Sequence, residues 1–354
     1  MVKLIFKRVL LFYVALTLIS SPVELLAGTK KSHKRIHSSQ KNTLSKHPIS
    51  SRHSLKNGMQ RVSVKLRSTR DLQDQRVFAA DERYDGSGVL QLASNKALII
   101  NQNTGEIIYA KNTNLPTPIA SITKLMTAMV MLDAKLPLDE VITISDGDVD
   151  YLKGTSSRLS VGSRLSRGDF LQLALMSSEN RAASALASNY PGGKYAFVKA
   201  MNAKVLELGL TNTRFVDPTG LDSENVSTAE DLAKMVQAAY QYPEIKAATT
   251  TASREVYFEG RNYPINFNNT NGLVRGGEWE IGLSKTGFIN EAGRCLVMQA
   301  TIAGEPMIVV LLDSYGKLTR IGDANRVRKW IEYNNEPKAT TTGQNQPVLS
   351  GRIS

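Results

Sequence analysis

Ser121 and Lys124 are the residues whose types and spacing point most directly to chemistry. They stand three positions apart in SITKLMTAMV, residues 121–130, where apolar residues at helical spacing predict a helix that opens at Ser121. Residues three apart on a helix lie on the same side. A serine hydroxyl becomes a good nucleophile when a base takes its proton, and a lysine with a lowered pKa can be that base. On this stretch alone, a capping serine beside a solvated lysine is the alternative.

The same S-x-x-K pattern also occurs at two other places, Ser38–Lys41 and Ser314–Lys317. The first lies in a polar, basic stretch. The second follows a strand-like run and contains a glycine, which disfavours a helix. Pro116 and Pro118, in contrast, favour extended backbone leading into the helix of Ser121. Ser121 is therefore the serine for which we expect a catalytic role.

Two further polar motifs complete the set. Lys285–Thr286–Gly287 occurs once, in a strand-like run. A lysine and a hydroxyl on a strand edge can hold a carboxylate, and the glycine permits close approach of backbone. Ser178–Glu179–Asn180 joins two helical stretches, where a short loop could present a hydroxyl and an amide to a cleft. The same three letters recur at residues 223–225, but there they follow Gly220 in a turn-rich segment, and turn formation is the expected role.

Histidine and cysteine content narrows the chemistry further. The four histidines are His33, His37, His47 and His53. Since none lies beyond residue 88, the sequence excludes a Ser–His–Asp triad, a Cys–His pair and an HExxH zinc site from the rest of the chain. We expect no metal and no cofactor. The single cysteine, Cys295, lies in an apolar run and is expected to be a buried core residue.

The elements that must position these motifs are strands near both ends of the chain and helices between them. The stretch ALIINQNTGEIIYAKN, residues 97–112, predicts a hairpin, and three strand-like runs after residue 278 predict an antiparallel meander. Helical patterns cover residues 168–190, 194–210 and 227–241, and a further helix closes the domain at residues 322–334. We expect an α+β fold, with one antiparallel sheet completed by both chain halves, flanked by helices and carrying an inserted helical lobe.

The net charge of +12 is concentrated near the N-terminus. Of the 44 Lys and Arg residues, 15 lie before residue 71, together with one of the 32 acidic residues. The rest of the chain is close to neutral, so we expect no nucleic-acid partner. Basic residues, an apolar run from Val9 to Ile19 and a small residue before Gly28 predict a secretory signal peptide, with an uncleaved anchor as the alternative.

The chain is thus expected to have four segments. They are a signal peptide (1–27), a flexible basic tether (28–88), a globular catalytic domain (89–335) and a polar tail (336–354). The tether is expected either to contact anionic lipid or wall polymer weakly or to be merely solvated.

The three motifs, taken in order, resemble those of the penicillin-recognising serine enzymes. The stretches SSENRAASAL, NTRFVDPTGL, NVSTAEDLAKMV and LSKTGFINEAGRCLVM resemble in particular the low-molecular-mass penicillin-binding proteins, which are serine D,D-peptidases, and above all their D-alanyl-D-alanine endopeptidases. The likeness covers about residues 90–335. It implies a β-lactamase/transpeptidase-like fold, peptidoglycan stem peptides as substrates and inhibition by β-lactams. The signal peptide predicts export to the periplasm, where the protein would be either free or peripheral to the membrane.

The resemblance also implies a role for each motif residue. Ser121 would be the acylated nucleophile, Lys124 its base, and Ser178 a relay of the proton to the leaving amine. Asn180 would orient substrate and lysine. The carboxylate end of the substrate would be held by two residues of the third motif, and the oxyanion hole would be formed by backbone N–H groups. Lys285 and Thr286 would bind the carboxylate, and Gly287 would allow close approach of the backbone. The N–H groups of Ser121 and Phe288 would bind the oxyanion.

Three alternative functions share some of these motifs or segments. A class A β-lactamase usually carries E-x-x-x-N between the second and third motifs, but no Glu from residue 179 to 280 has Asn four positions later. A wall-binding module with a dead site is disfavoured, because every motif residue is present. Within the peptidases, a D-alanyl-D-alanine carboxypeptidase that trims pentapeptide stems is the alternative to an endopeptidase, and only the resemblance favours the latter.

Overall fold

The computed structural model describes residues 85–336. The predicted signal peptide, nearly all of the basic segment with its four histidines, and nearly all of the polar tail lie outside the described residues. Within residues 85–336, no helix is long and apolar enough to cross a membrane.

The elements alternate between short strands and helices, with the longest strands near the two ends. In chain order, the strands are β1 (Lys96–Asn101), β2 (Ile107–Lys111), β3 (Thr117–Pro118), β4 (Val141–Thr143), β5 (Arg164–Ser166), β6 (Val226–Ser227), β7 (Ser253–Val256), β8 (Ile265–Asn268), β9 (Ile281–Ile289), β10 (Gly293–Ile302) and β11 (Glu305–Ser314). The α-helices are α1 (Lys124–Asp133), α2 (Arg167–Met176), α3 (Asn180–Ser188), α4 (Gly193–Glu207), α5 (Ala229–Ala239), α6 (Pro243–Thr250), α7 (Gly272–Gly276) and α8 (Thr319–Asn335). Short 3₁₀ turns lie at Ala120–Thr123 and Asp146–Asp148.

One antiparallel sheet of five strands, in the order β2-β1-β11-β10-β9, forms the centre of the described domain. The hairpin β1–β2 and the meander β9–β10–β11 are both confirmed, and the pairing of β1 with β11 joins the two halves of the chain. Alternate residues face opposite sides: Ile99 contributes to a core shared with α8, whereas Leu98 faces the larger core under the helices. The predicted α+β architecture is therefore confirmed.

The helices between the strands follow the sequence closely. Helix α5 is capped by Thr228, whose hydroxyl accepts from the N–H of Asp231 at 3.1 Å. Helix α4 ends just before Gly209, which has a φ of +63°, a conformation that glycine adopts without strain. Helices α2 and α3 are joined by residues 177–179, as the sequence predicted for the loop of the second motif.

The start of α1 differs from the prediction. The helix is present, but it begins at Lys124, and Ser121 lies in the preceding 3₁₀ turn. Ala120 has a φ of +48°, so the chain turns sharply before Ser121. The turn of residues 120–123 has 3₁₀ geometry, which is tighter than an α-helix. The predicted approach of Ser121 and Lys124 does not depend on this difference, because residues three apart also align in a 3₁₀ turn.

Candidate active site

Ser121 and Lys124 meet at the junction of the 3₁₀ turn and α1. The Nζ of Lys124 lies 2.8 Å from the Oγ of Ser121. The same nitrogen lies 2.8 Å from the Oδ1 of Asn180 and 2.7 Å from the carbonyl oxygen of Thr219. Lys124 is 1% exposed. A solvated lysine, the alternative considered from the sequence, does not describe this side chain.

The surroundings of Lys124 favour its neutral form. Burial lowers the pKa of Lys124 to about 7, although the negative charges of Asp217 and Glu179 act in the opposite direction. A neutral amine has two N–H donors and one lone pair. Two of its three neighbours, the amide oxygen of Asn180 and the carbonyl of Thr219, can only accept. The lone pair is therefore left for the hydroxyl proton of Ser121, which is the arrangement that a general base requires.

Ser178 and Lys285 form a second hydroxyl–amine pair. The Nζ of Lys285 donates to the Oγ of Ser178 and to the carbonyl of Thr286, both at 2.9 Å. Ser178 has a φ of +59°, so a residue other than glycine is held in the left-handed region, which is common at functional sites. Lys285 is also 1% exposed, and burial, followed by the charges of Lys124 and Arg320, lowers its pKa well below the usual value.

Strand β9 brings the third motif against Ser121. A Cβ atom at Gly287 would lie 2.9 Å from the carbonyl oxygen of Ile119 and 3.1 Å from the backbone nitrogen of Ser121. Only a residue without a side chain allows β9 to lie this close to the nucleophile. The hydroxyl of Thr286 lies 2.6 Å from that of Thr270, and Phe288 is 50% exposed at the end of the motif.

A loop that sequence reasoning missed completes the surroundings of Lys124. The carboxylate of Asp217 accepts from the backbone N–H groups of Thr219 and Gly220 at 3.1 and 2.7 Å, which fixes the turn. This turn directs the carbonyl of Thr219 towards Lys124. A backbone carbonyl is present in every residue, so no residue type in the sequence could have indicated its role. The D-x-x-G pattern of residues 217–220 is the only available signal, and it indicates a turn.

The second copy of Ser–Glu–Asn has the structural role that the sequence predicted. Asn225 is fully buried, and its amide oxygen accepts from the N–H groups of Val216 and Asp217 at 2.7 and 3.2 Å. Its Nδ2 donates to the Oγ1 of Thr123 at 3.0 Å. Asn225 thus fastens the loop of Asp217 to the turn that carries Ser121.

Two other candidates are accounted for by burial. Cys295 is fully buried, and burial raises the pKa of its thiol to about 11, so it is a core residue with an unreactive thiol. Ser314 of the third S-x-x-K copy is also fully buried, and its hydroxyl lies 2.7 Å from that of Ser94.

Two residues near the motifs had no signal in the sequence. Thr155 lies in a loop, and its Oγ1 accepts from the Nδ2 of Asn180 at 3.0 Å, so that the Oδ1 of Asn180 faces Lys124. Arg320, at the start of α8, is buried close enough to Lys285 to lower its pKa. Both contacts join parts of the chain that are far apart in sequence. Within residues 85–336, no cluster of three or more His, Cys, Asp or Glu side chains could hold a metal ion.

Replacing Gly220 with alanine is expected to disturb Ser121 directly. Gly220 has a φ of +82°, and a Cβ there would lie 1.9 Å from the carbonyl oxygen of Ala120 and 2.9 Å from the nitrogen of Ser121. The loop must then move, and Thr219 with it. We expect a loss of about 1–3 kcal/mol in the free energy of unfolding and slower acylation by a labelled penicillin.

Gly162→Ala is the matched control for this variant. Gly162 has nearly the same φ, +84°, but open space around its Cβ position. It should show the conformational strain without displacing Ser121. Thermal unfolding and penicillin labelling of both variants are the measurements, and equal labelling rates would contradict the assigned role of Gly220.

Comparisons with known proteins agree with this geometry. The peptidase S11 family model, described as D-alanyl-D-alanine carboxypeptidase, matches residues 82–316. The chain is 56% identical over 242 residues to a D-alanyl-D-alanine endopeptidase of Pseudomonas aeruginosa, covering 68% of this chain and 78% of that protein. It is 49% identical over 264 residues to the D-alanyl-D-alanine endopeptidase of Escherichia coli, covering 75% and 82%. A crystal structure of the Streptomyces K15 DD-transpeptidase superposes with a TM-score of 0.64 at 29% identity, covering 69% of this chain and 98% of that one.

Proposed function

The chain belongs to the peptidase S11 family of D-alanyl-D-alanine peptidases, and we propose that it hydrolyses D-alanyl–diaminopimelate cross-links between peptidoglycan stem peptides through an acyl-enzyme at Ser121. The observation that carries this proposal is the buried amine of Lys124, 2.8 Å from the Ser121 hydroxyl, with a pKa lowered to about 7. The preference for cross-links is supported by the endopeptidase relatives and by the resemblance of residues 90–335 to penicillin-binding protein 7, a D-alanyl-D-alanine endopeptidase.

Acylation begins when Lys124 takes the hydroxyl proton of Ser121. The Oγ of Ser121 forms a bond to the D-alanyl carbonyl carbon, and the carbonyl oxygen becomes an oxyanion. Backbone N–H groups of Ser121 and Phe288 stabilise that charge in this proposal, each typically contributing about 3 kcal/mol. The close packing of Gly287 against Ser121 supports this arrangement, since it brings β9 beside the nucleophile.

Collapse of the oxyanion breaks the carbon–nitrogen bond and requires a proton on the leaving amine. Ser178 is placed to relay it, because Lys285 holds its hydroxyl at 2.9 Å and Asn180, two residues further on, contacts Lys124. Asn180 holds Lys124 and orients the substrate. Water then hydrolyses the acyl-enzyme, with Lys124 accepting a proton again, and Ser121 is restored.

The substrate carboxylate is assigned to Lys285 and Thr286, with the charge of Arg320 nearby. The D-centre of diaminopimelate carries a free carboxylate next to the scissile amide, as does a terminal D-alanine. The same residues can therefore hold either leaving group, which is why carboxypeptidase activity on pentapeptide stems is the alternative. The family description favours that alternative, whereas the two endopeptidase relatives favour the cross-link.

Cross-linked muropeptide dimers and monomeric pentapeptides, given to the enzyme in parallel and followed by chromatography, distinguish the two activities. We expect dimers to become monomers faster than pentapeptides lose terminal D-alanine. Rapid trimming of pentapeptides with dimers left intact would make the enzyme a carboxypeptidase. Ser121→Ala is the control for both reactions.

The proposal also includes a periplasmic location, binding of β-lactams and a weak contact of the basic segment with an anionic surface. Export to the periplasm is supported by the signal-peptide pattern and by the peptidoglycan chemistry of the relatives. Binding of β-lactams is supported by the family and by the serine–lysine pair. A weak contact of the basic segment with anionic lipid or wall polymer is supported by its charge alone.

A further inference from the structure

We propose that residues 150–155 form a strap across the mouth of the active-site cleft, latched to the sheet by Lys153 and Glu291, and that the latch restricts access of extended substrates to Ser121. The inference rests on the proposed function, because it concerns how a cross-linked stem peptide reaches the nucleophile. The strap is assigned as a determinant of substrate size through Lys153 and Glu291, neither of which takes part in the chemistry.

The cleft has two walls, and they are joined on both sides of Ser121. One wall is the loop of Ser178 and Asn180, and the other is β9. The hydrogen bond from Lys285 to Ser178 joins them at one end. Beyond the packing of Gly287 against Ser121, β9 ends at Ile289 and the turn to β10 carries Glu291. Lys153 forms an ion pair with Glu291 there.

The base of the strap is firmly held. The carboxylate of Asp150 accepts from the backbone N–H groups of Leu152 and Lys153, both at 2.9 Å, and from the N–H of Thr155 at 2.8 Å. Thr155 in turn accepts from Asn180 at 3.0 Å. The preceding Asp148 is buried and accepts from Ser184 of α3 at 2.7 Å. The base is therefore fixed to the wall of the second motif.

The latch at the tip is weaker than the base. The side chain of Lys153 is 28% exposed and that of Glu291 is 43% exposed. An exposed ion pair shifts an equilibrium by about fivefold at most, and added salt weakens it. The side chain of Lys153 can therefore leave Glu291 while the backbone of the strap, held by Asp150, stays in place, so that release of the latch does not disturb Asn180.

The strap also forms a wall of a cavity that reaches the catalytic groups. This cavity, of about 370 Å³, is lined by Asp150, Tyr151 and Leu152 of the strap and by Asn180 and Thr219, both of which contact Lys124. Tyr151 is 81% exposed at the rim, where it can contact a bound chain. A cross-linked peptide continues in both directions from the scissile bond, so it must pass one of the two joined ends. A small penicillin has no such extension.

Breaking the latch is expected to raise activity towards extended substrates only. Lys153→Ala and Glu291→Ala should each raise kcat/KM for muropeptide dimers by about two- to fivefold, while acylation by penicillin keeps its wild-type rate. The charge swap, Lys153→Glu with Glu291→Lys, should restore the wild-type value. High salt should bring the wild type up to the level of the alanine variants. A fall in dimer cleavage in both alanine variants would overturn the proposal, since the pair would then assist binding.

A closed strap can be tested with Lys153→Cys and Glu291→Cys joined by a short, reducible bis-maleimide. Cys295 does not interfere, because it is fully buried. The joined protein should lose at least tenfold in dimer cleavage, keep penicillin acylation, and recover when the linker is reduced. Unchanged dimer cleavage in the joined form would overturn the strap. If the wild type cleaves pentapeptides and not dimers, the cross-link activity fails instead, and dimers still decide the latch: cleavage that appears in the alanine variants supports it, and its absence there overturns it.

Discussion

Ser121→Ala is expected to abolish covalent labelling by a radioactive or fluorescent penicillin. Without the Oγ there is no atom at this position that can form an ester with the β-lactam carbonyl. The change is small in packing terms, because Ser121 lies in a short 3₁₀ turn whose neighbours are held by β9 and by the loop of Gly220. The variant should therefore fold with a thermal midpoint close to that of the wild type and bind penicillin without acylation.

The measurement is intact-protein mass spectrometry followed by peptide mapping. In the wild type the adduct should map to the peptide that carries Ser121. The matched control is Ser38→Ala, which removes the serine of another S-x-x-K copy and should label as the wild type does. An adduct on any other residue, or full labelling of Ser121→Ala, would sink the assignment of the nucleophile.

Much of the scaffold could be predicted because its signals are local. The hairpin β1–β2 follows from two strand-like runs around Asn103–Thr104–Gly105, and the meander follows from three apolar runs joined by short turns. Helix α5 has a capping threonine and acidic residues in its first turn, and both are visible in the sequence. The pairing of β1 with β11 has no local signal, and it follows only from the expectation that strands at the two ends of the chain share one sheet.

The motif residues could be selected from the sequence, but their environment could not. Spacing alone brings Ser121 and Lys124 together, since they lie within one turn. The amine of Lys124 is held by Asn180, 56 residues away, and by Thr219, 95 residues away, and these contacts leave its lone pair for Ser121. Neither contact has a local pattern. For this physical reason the sequence alone leaves the capping alternative open.

Backbone conformations were the least visible part of the site. Ala120 and Ser178 have positive φ values of +48° and +59°, although neither residue type indicates this. Ala120 stands directly before Ser121, and Ser178 is itself the first residue of the second motif. The strain is held by tertiary contacts, which for Ser178 include the hydrogen bond from Lys285. The α-helix α1 also begins three residues later than predicted, after the 3₁₀ turn that contains Ala120.

Lys124→Met is expected to slow penicillin acylation by about 10²–10⁴-fold, the usual contribution of a general base. Methionine nearly matches lysine in length and suits a buried position, but it has no lone pair that can take the proton of Ser121. Lys124→Arg is the matched control. It keeps a nitrogen donor for Asn180 and Thr219, yet its guanidinium stays charged at any accessible pH. If Lys124 is the base, the arginine variant should be as slow as the methionine variant.

The pH dependence separates a base from a merely structural lysine. In the wild type, the acylation rate should rise about tenfold per pH unit below about 7 and level off above it, because the pKa of Lys124 is lowered to about 7 and the neutral amine then predominates.

Stability should follow the same group. The folded pKa lies below the usual value of 10.5, so the unfolded chain binds the extra proton between about 7 and 10.5, and the stability of the wild type relative to Lys124→Met should rise with pH by up to about 1.4 kcal/mol per unit across that window. Stopped-flow labelling and denaturant unfolding at several pH values provide both curves. A wild-type rate that is flat from pH 5 to 9, or a Lys124→Arg variant that acylates at the wild-type rate, would show that the proton of Ser121 goes elsewhere.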